Sequence, residues 1–458
     1  MYIFYDFETS DKDFLGQILS YYFVLVDATF TPINELSGFI KPNRTECPKV
    51  GAIQVNKLSI ETCINNGLSE FEAANTIYQF LQTNTNDYGA VPLVGFNSAR
   101  FDFKHLEKLL LKHGLSPTFY GKISSLDVYQ FAKFCALSFP KDFPFVPKKQ
   151  HNTYSFSFKL EDLAQAFGCL KTPQTHDAKD DVILTIELTK TLEKTFDTSL
   201  KEFKSTQHNT SLFFEQNHFL KEPYFPFEQK SITPIVNYNE WLVIGQASKT
   251  TFILLDLNAY KNHEKTAFND YSSFTRYFNT RANALVASKH PFDDNNTILS
   301  DPNIQKIREN ALQYFKLFPV DWDIEYRPWA MGFDNIPLLR RFIETLSKDP
   351  NSYKQLINEW KEIKKSKPEK SLELNFMIQL FNRFYLNHHP SPELDHMQKY
   401  ISPRYKTGKL FRNPTDFVTI ETELNTLDFY LTNTQSTTEK TILNELKNYI
   451  KTFELTYL

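Results

Sequence analysis

Glycine is scarce in this chain, at 12 of 458 residues. None falls in a G-x-x-x-x-G-K-[ST] or G-x-G-x-x-G loop, and the lone Gly408-Lys409 pair has no phosphate-loop context, which argues against nucleotide-triphosphate chemistry. Cysteine is scarcer still. Cys47, Cys63, Cys135 and Cys169 lie far apart with no C-x-x-C pair, so neither a zinc site nor a disulfide framework is expected. No apolar run approaches a membrane span, and the opening MYIFYDFETS has no basic leader or small-residue cleavage site; a cytoplasmic protein is the expectation. An excess of either charge is also missing. With 51 basic and 54 acidic residues the net charge is −3, so any nucleic-acid groove has to be a local basic patch. A hydrophobic content of 41% with 23% charged residues is ordinary for a globular protein, and the length exceeds what one core fills, so two or three domains are expected.

What is present falls into three stretches. Over residues 1–200, apolar and aromatic runs at Tyr2–Phe7, Tyr21–Val26 and Leu36–Ile40, parted by turn residues such as Thr31-Pro32-Ile33-Asn34, predict three sequential strands. Helical spacing from Glu70 to Leu81 leads into a buried-looking strand at Pro92–Phe96 and a helix at Phe103–Leu111. That order predicts an α/β domain with a ribonuclease H-like mixed sheet. Between Ser138 and Tyr154, Pro140, Pro144 and Pro147 with Lys141, Lys148, Lys149 and His151 predict a mobile basic loop. Helices are expected at Lys159–Phe167 and Asp177–Thr195. Over 201–348, β-like runs at Trp241–Ile244, Thr251–Leu255 and Ala284–Ala287 predict a small β-rich domain with helical insertions, and 349–458 a C-terminal helical domain. Helical patterns run at Ile304–Leu317, Pro337–Leu346, Tyr353–Lys364, Leu372–Leu386 and Ile420–Tyr457.

Five residues carry candidate chemistry. Asp6-Phe7-Glu8 closes the first predicted strand, where alternation points both carboxylates to one face. An Asp-x-Glu triplet arises by chance about once or twice in a chain this acidic. Its setting after Tyr2, Ile3, Phe4 and Tyr5 raises its weight, because charges ending a central strand need a metal or a cation. Asp102 follows the turn Asn97-Ser98-Ala99-Arg100 and opens a helix, a position that suits an N-cap and a ligand alike. His176, in a loop, precedes Asp181, in the next helix, by five positions. A surface histidine near acids is the plain alternative, and Asp177 and Asp180 compete as a helix cap and a solvent-facing acid.

In this order, Asp6, Glu8, Asp102, His176 and Asp181 are similar to the ligand set of the four-acid proofreading-type (DEDD) exonuclease superfamily, in its histidine branch. NSARFD at Asn97–Asp102, SFKLEDL at Ser157–Leu163, and His176-Asp177-Ala178 followed by Asp181 resemble the bacterial exonuclease I family. Shorter stretches, Ser288–Pro291, Asn296-Thr297 and Arg404-Tyr405-Lys406, resemble its later domains. The resemblance implies a monomeric 3′→5′ exodeoxyribonuclease that degrades single-stranded DNA to 5′-mononucleotides in repair or recombination. Two Mg²⁺ ions, with Mn²⁺ as a substitute, would generate hydroxide and stabilise the leaving oxygen. Asp6 would bridge them, Glu8 and Asp181 would hold the hydroxide-generating ion, and Asp102 the other. His176 would take the water's proton, and a pKa of about 6.5 leaves a histidine mostly neutral for that task.

It further implies a small barrel of the Src-homology-3 kind, helices closing a ring around the strand, and docking of the acidic tail of single-stranded DNA-binding protein near Arg308, Leu312 and Lys316. Residues expected to touch DNA are Asn97, Arg100, Phe101, Lys148, Lys149, Lys159, Arg404, Tyr405 and Lys406. The His396–Arg412 stretch, basic and aromatic with no acid, is one candidate groove and the Lys141–His151 loop another; a solvated charged face is the alternative. A trimming exoribonuclease is a rival within enzymes, opposed by the large C-terminal half. A single-strand-binding scaffold is a rival of another class, opposed by the complete acid set, since clustered carboxylates repel.

Overall fold

Alternation along the first strand sorts the N-terminal region into layers. The computed structural model describes residues 1–117, 119–150, 153–170, 177–206, 219–224, 237–248, 251–262, 275–279, 301–321, 324–392, 394–408 and 418–458. Strands β1 (Tyr2–Thr9), β2 (Ile18–Val26) and β3 (Pro32–Phe39) form an antiparallel meander. On its other edge β1 runs parallel to β4 (Val91–Gly95), and β4 to β5 (Ile123–Asp127). The order β3-β2-β1-β4-β5 puts β1 in the middle of a mixed, ribonuclease H-like sheet, as the element order predicts.

Eight helices of this region carry labels: α1 (Val50–Asn56), α2 (Ile60–Asn66), α3 (Glu70–Tyr88), α4 (Asp102–Lys112), α5 (Val128–Ser138), α6 (Leu160–Ala166), α7 (Ala178–Phe196) and α8 (Leu200–Thr206). Ile3, Tyr5 and Phe7 pack with Ala74 and Ile77 of α3 and Leu106 and Leu109 of α4. Tyr2 and Phe4 face the other way, toward Phe131 of α5 and Val182 and Ile186 of α7. Asp6 and Glu8 continue that second face by the two-residue period of a strand.

The basic loop expected at 141–151 is instead part of a hairpin, β6 (Val146–Gln150) paired antiparallel to β7 (Thr153–Ser157). Aromatic packing of Phe143 with Phe145, and of Phe145 with Phe156, ties the ribbon to the core of the second face. A two-stranded ribbon also tolerates Pro147, whose missing N–H would weaken a central strand.

Further along, β8 (Phe219–Tyr224), β9 (Asn237–Ser248), β10 (Thr251–Asp256) and β11 (Thr275–Asn279) make an antiparallel sheet in the order β11-β10-β9-β8. After α9 (Leu257–Asn262), the helix α10 (Pro302–Asp321) covers the sheet, with Ile304, Ile307 and Ala311 against Leu242, Ile253 and Leu255. The expected strand Ala284–Ala287 lies outside the described residues, and the described strands do not by themselves close a barrel.

From Ile324 the chain belongs to a different core. It is built by α11 (Ile336–Lys348), α12 (Tyr353–Ser366), α13 (Ser371–His388), α14 (Leu394–Thr407), α15 (Ile420–Asn433) and α16 (Thr437–Tyr457). Core membership therefore changes between α10 and Ile324. The single helix expected over Ile420–Tyr457 is two, because Ser436 accepts the Glu439 N–H as an N-cap and starts α16 afresh. This core also takes Leu15, Leu19, Val50, Ile53, Ile60 and Cys63 from the first domain, so the helices are welded to the sheet region. Among the described residues no helix is long and apolar enough to cross a membrane.

A buried charge cluster lies in that weld. Lys112 of α4 is 2.7 Å from Glu70 and 3.6 Å from Glu325, and Glu70 also meets His113 at 3.3 Å. Burial alone would raise the Glu70 carboxyl, but the Lys112 ammonium and His113 bring it well below the usual range. A depressed carboxylate contributes stability above its unfolded pKa of about 4.3 and loses it as the pH falls toward the folded value. Glu70→Ala leaves a buried ammonium with one distant partner and should destabilise the protein by about 3–5 kcal/mol. Urea or thermal unfolding at pH 7 checks this, and the deficit should shrink below about pH 4.

Candidate active site

The site forms where three elements meet. β1 supplies Asp6 and Glu8, α7 supplies Asp181, and one carboxylate oxygen from each lies within 4.8 Å of the others. α7 is set by Asp177, whose side chain accepts the Lys179 and Asp180 N–H groups as N-cap, so Asp177 is the cap that the sequence suggested. Asp102 is not an N-cap. It is the first residue of α4, and its Oδ1 accepts the Phe7 N–H at 3.3 Å, which ties the fourth carboxylate to the backbone between Asp6 and Glu8.

Electrostatics mark the cluster as unusual. Burial first, then the charges of Asp102, Glu8, Asp181 and Asp177, hold the Asp6 carboxyl well above its ordinary range. Burial and the Asp181, Asp102 and Asp177 charges push Glu8 up to about 9, against a hydrogen bond from Asn56. Asp102 is raised to about 8 by burial, with Asp127 and Asp181 adding to it and the Phe7 N–H opposing. Carboxylates so placed repel each other and gain from a bound divalent cation. An all-oxygen donor set of this kind suits a hard ion.

Two contributors escaped the sequence reading. Asn56, at the end of α1, donates to the Thr9 carbonyl at 3.1 Å and to the Glu8 carboxylate, and nothing in the local pattern signals it. Asp127 ends β5 and caps α5, and its burial raises its carboxyl to about 6. The run Ile123–Asp127 followed by an apolar helix was the available clue.

The other expected site residues are scattered. Asn97 and Arg100 are exposed on the β4–α4 turn, and Phe101 is half-buried with its ring 4.6 Å from His105. Lys148 and Lys149 lie on β6, and Lys159 is exposed at the start of α6. Arg404 and Tyr405 correct the expectation of a basic, aromatic DNA surface. They are 3% and 1% exposed, and the Tyr405 hydroxyl accepts the Cys47 N–H at 2.7 Å. The apolar face of α14 points inward with Ile401, so Tyr405 lies in the core edge-on to Phe453 and has no face for a base. Lys406 remains exposed and donates to the Leu458 carbonyl. Arg308 is exposed on α10 beside Gly245, while Leu312 packs against the β9–β10 core; Lys316 lies on the same helix. His176 falls outside the described residues.

No family model matches the chain, and no curated protein does either. Solved structures do. Escherichia coli exonuclease I in complex with a dA16 oligonucleotide superposes at a TM-score of 0.66 with 14% identity, covering 99% of both chains. The chain has the exonuclease I fold. The zinc-bound form of the E. coli exonuclease I complex with single-stranded DNA gives 0.64 at 14% identity, again over 99% of both chains. The complex of exonuclease I with SSB-Ct gives 0.64 at 13% identity over 99% of both. The likeness to exonuclease I therefore runs through the whole chain and is not confined to the mixed sheet.

Raised carboxyl pKa values carry a stability consequence. The folded, metal-free chain holds protons that the unfolded chain loses above about pH 4, so its stability falls as the pH rises toward about 9. Asp6→Asn removes one of the repelling charges. In chelator at pH 8 its melting temperature should exceed wild type by about 2 °C or more, and at pH 5 the gain should vanish. Equal melting at pH 8 would contradict the electrostatic account.

Proposed function

We propose that the chain is a 3′→5′ exodeoxyribonuclease of the exonuclease I type that digests single-stranded DNA to 5′-mononucleotides with Mg²⁺, or Mn²⁺ in its place. The gathering of Asp6, Glu8 and Asp181 within 4.8 Å, with Asp102 tethered beside them, is the observation that carries this reading. Bound divalent ions would supply an activated water and charge stabilisation at the leaving 3′-oxygen. Asp6, Glu8, Asp181 and Asp102 would hold these ions, with Glu8 and Asp181 serving the ion that activates the water and Asp102 the one that stabilises the leaving oxygen. His176 accepts the water's proton. Asn56 keeps Glu8 oriented by its amide. Lys148, Lys149, Lys159 and Arg100 contribute positive charge for the strand's phosphates.

Exonuclease I structures with oligonucleotides and with SSB-Ct support the choice of substrate and a docking partner for this chain. The exposed Arg308 of α10 is the proposed contact for an acidic tail.

A panel of end-labelled single strands, duplex and RNA, with Mg²⁺ and with chelator, tests the reading. Stepwise loss from the 3′ end of single-stranded DNA, abolished by chelator and in Asp181→Asn, is expected; cleavage from the 5′ end or undiminished activity in chelator would overturn it. His176→Ala should lower kcat by about 10²–10⁴-fold. Replacing Lys148 and Lys149 with Ala should flatten the slope of log affinity against log salt by roughly 1.4, at about 0.7 per lost phosphate contact on a single strand.

A further inference from the structure

The turn that delivers Asp102 begins with strain. Asn97 has φ +56°, a left-handed conformation that a residue with a side chain adopts at a cost. The turn folds back tightly, since a Cβ on Gly95 would lie 2.5 Å from Ser98 Cβ and 3.1 Å from the Tyr5 carbonyl. It feeds straight into α4 through the Phe103 N–H, which donates to the Ser98 carbonyl at 2.9 Å. Asp102 thus has little freedom once the turn is fixed.

The group that fixes it comes from the next strand. Asp127 pairs with Gly95 in the parallel β4–β5 register and is 1% exposed. Its Oδ1 accepts the Asn97 N–H at 2.7 Å and its Oδ2 accepts the Ala99 N–H at 3.3 Å. The same Oδ1 accepts the Tyr129 N–H at 3.0 Å, the N-cap bond of α5. One carboxylate therefore caps a helix and clamps two amides of the turn. The cap alone would need a single oxygen. The second oxygen, and the bond to Asn97, hold a turn whose backbone would otherwise relax.

We propose that Asp127 is a positioning residue for the reaction: by clamping the Asn97 and Ala99 amides it holds Asp102 against β1, where that carboxylate serves the cation site. The inference rests on the reading of Asp6, Glu8, Asp102 and Asp181 as that site. Asp127 touches neither substrate nor ion; it acts through the turn.

Two substitutions separate its jobs. Asp127→Ser keeps an N-cap hydroxyl for Tyr129 but is too short to reach both turn amides, while Asp127→Asn keeps one oxygen for Asn97 and Tyr129 and sets an amide against the Ala99 N–H. Each is titrated with Mn²⁺, followed by the loss of free-ion signal in electron paramagnetic resonance, and assayed for kcat and KM on a single-stranded oligonucleotide. Mn²⁺ affinity and kcat should fall in the order wild type, Asn, Ser. The serine variant should lose about 10–100-fold in kcat, with KM within about twofold and melting close to wild type.

Wild-type Mn²⁺ affinity and kcat in Asp127→Ser would overturn the proposal, as would a loss that merely tracks the unfolded fraction. Should the serine variant fail to fold, unchanged Mn²⁺ affinity in Asp127→Asn overturns it equally. A wild-type protein that binds no Mn²⁺ removes the cation site, and this proposal with it. Binding by wild type and equal binding by the variants removes this proposal alone.

Discussion

Asp6 and Glu8 sit on the middle strand of a sheet whose other side chains at that depth are aromatic and aliphatic, and two more carboxylates are brought to meet them. Like charges in so little water repel strongly, and no packing arrangement can remove that repulsion. It is offset by protons when the site is empty of cations and by a divalent ion otherwise. The β4–α4 turn, the cap of α7 and the amide of Asn56 all hold acids in place against this force.

The helical half takes part in the same task. Segment 45–56 lies between the exit of β1 and the C-terminal helices: the Lys49 N–H donates to the Ser10 carbonyl at 2.7 Å, and the Val50 N–H donates to Glu423 at 2.9 Å. The loop after β1 is braced by Lys108, which donates to the Phe14 and Gly16 carbonyls at 2.6 Å each, and by Tyr326, which donates to Asp13 at 2.8 Å. Burial of Tyr405, Phe342 and Phe381 with Leu15 and Leu19 makes the weld apolar as well as polar. A sheet domain with this set of partners is not a detachable unit, which separates it from short trimming enzymes built on the first domain alone.

Much of this was legible in the sequence, for physical reasons. The strand runs near Tyr2, Tyr21 and Leu36 and the helix after Asp177 carry strong periodicity, and the acids at 6, 8, 102 and 181 stand at element ends where a side chain is committed to one direction. Tyr405 misled because aromatic and basic residues in one stretch describe a DNA groove and an amphipathic helix equally; only the packing of α14 decides. The hairpin at Val146–Ser157 was hidden by its prolines, and its anchor is a long-range aromatic cluster that no local window contains. Asp127 and Asn56 act through bonds to distant backbone, 28 to 47 residues away in sequence, which periodicity cannot reveal.

On the proposed reading, Asp6, Glu8 and Asp181, each partly buried, and the buried Asp102 would form a cation site that holds protons when empty. Calorimetric titration of the chelator-treated protein with Mn²⁺ at pH 7, repeated in two buffers of different ionisation enthalpy, counts the protons that leave. With Glu8 pushed up to about 9 and Asp102 to about 8, both are largely protonated at pH 7, so binding should release about two protons per chain. Binding with no proton release, or no binding at all, would contradict the account.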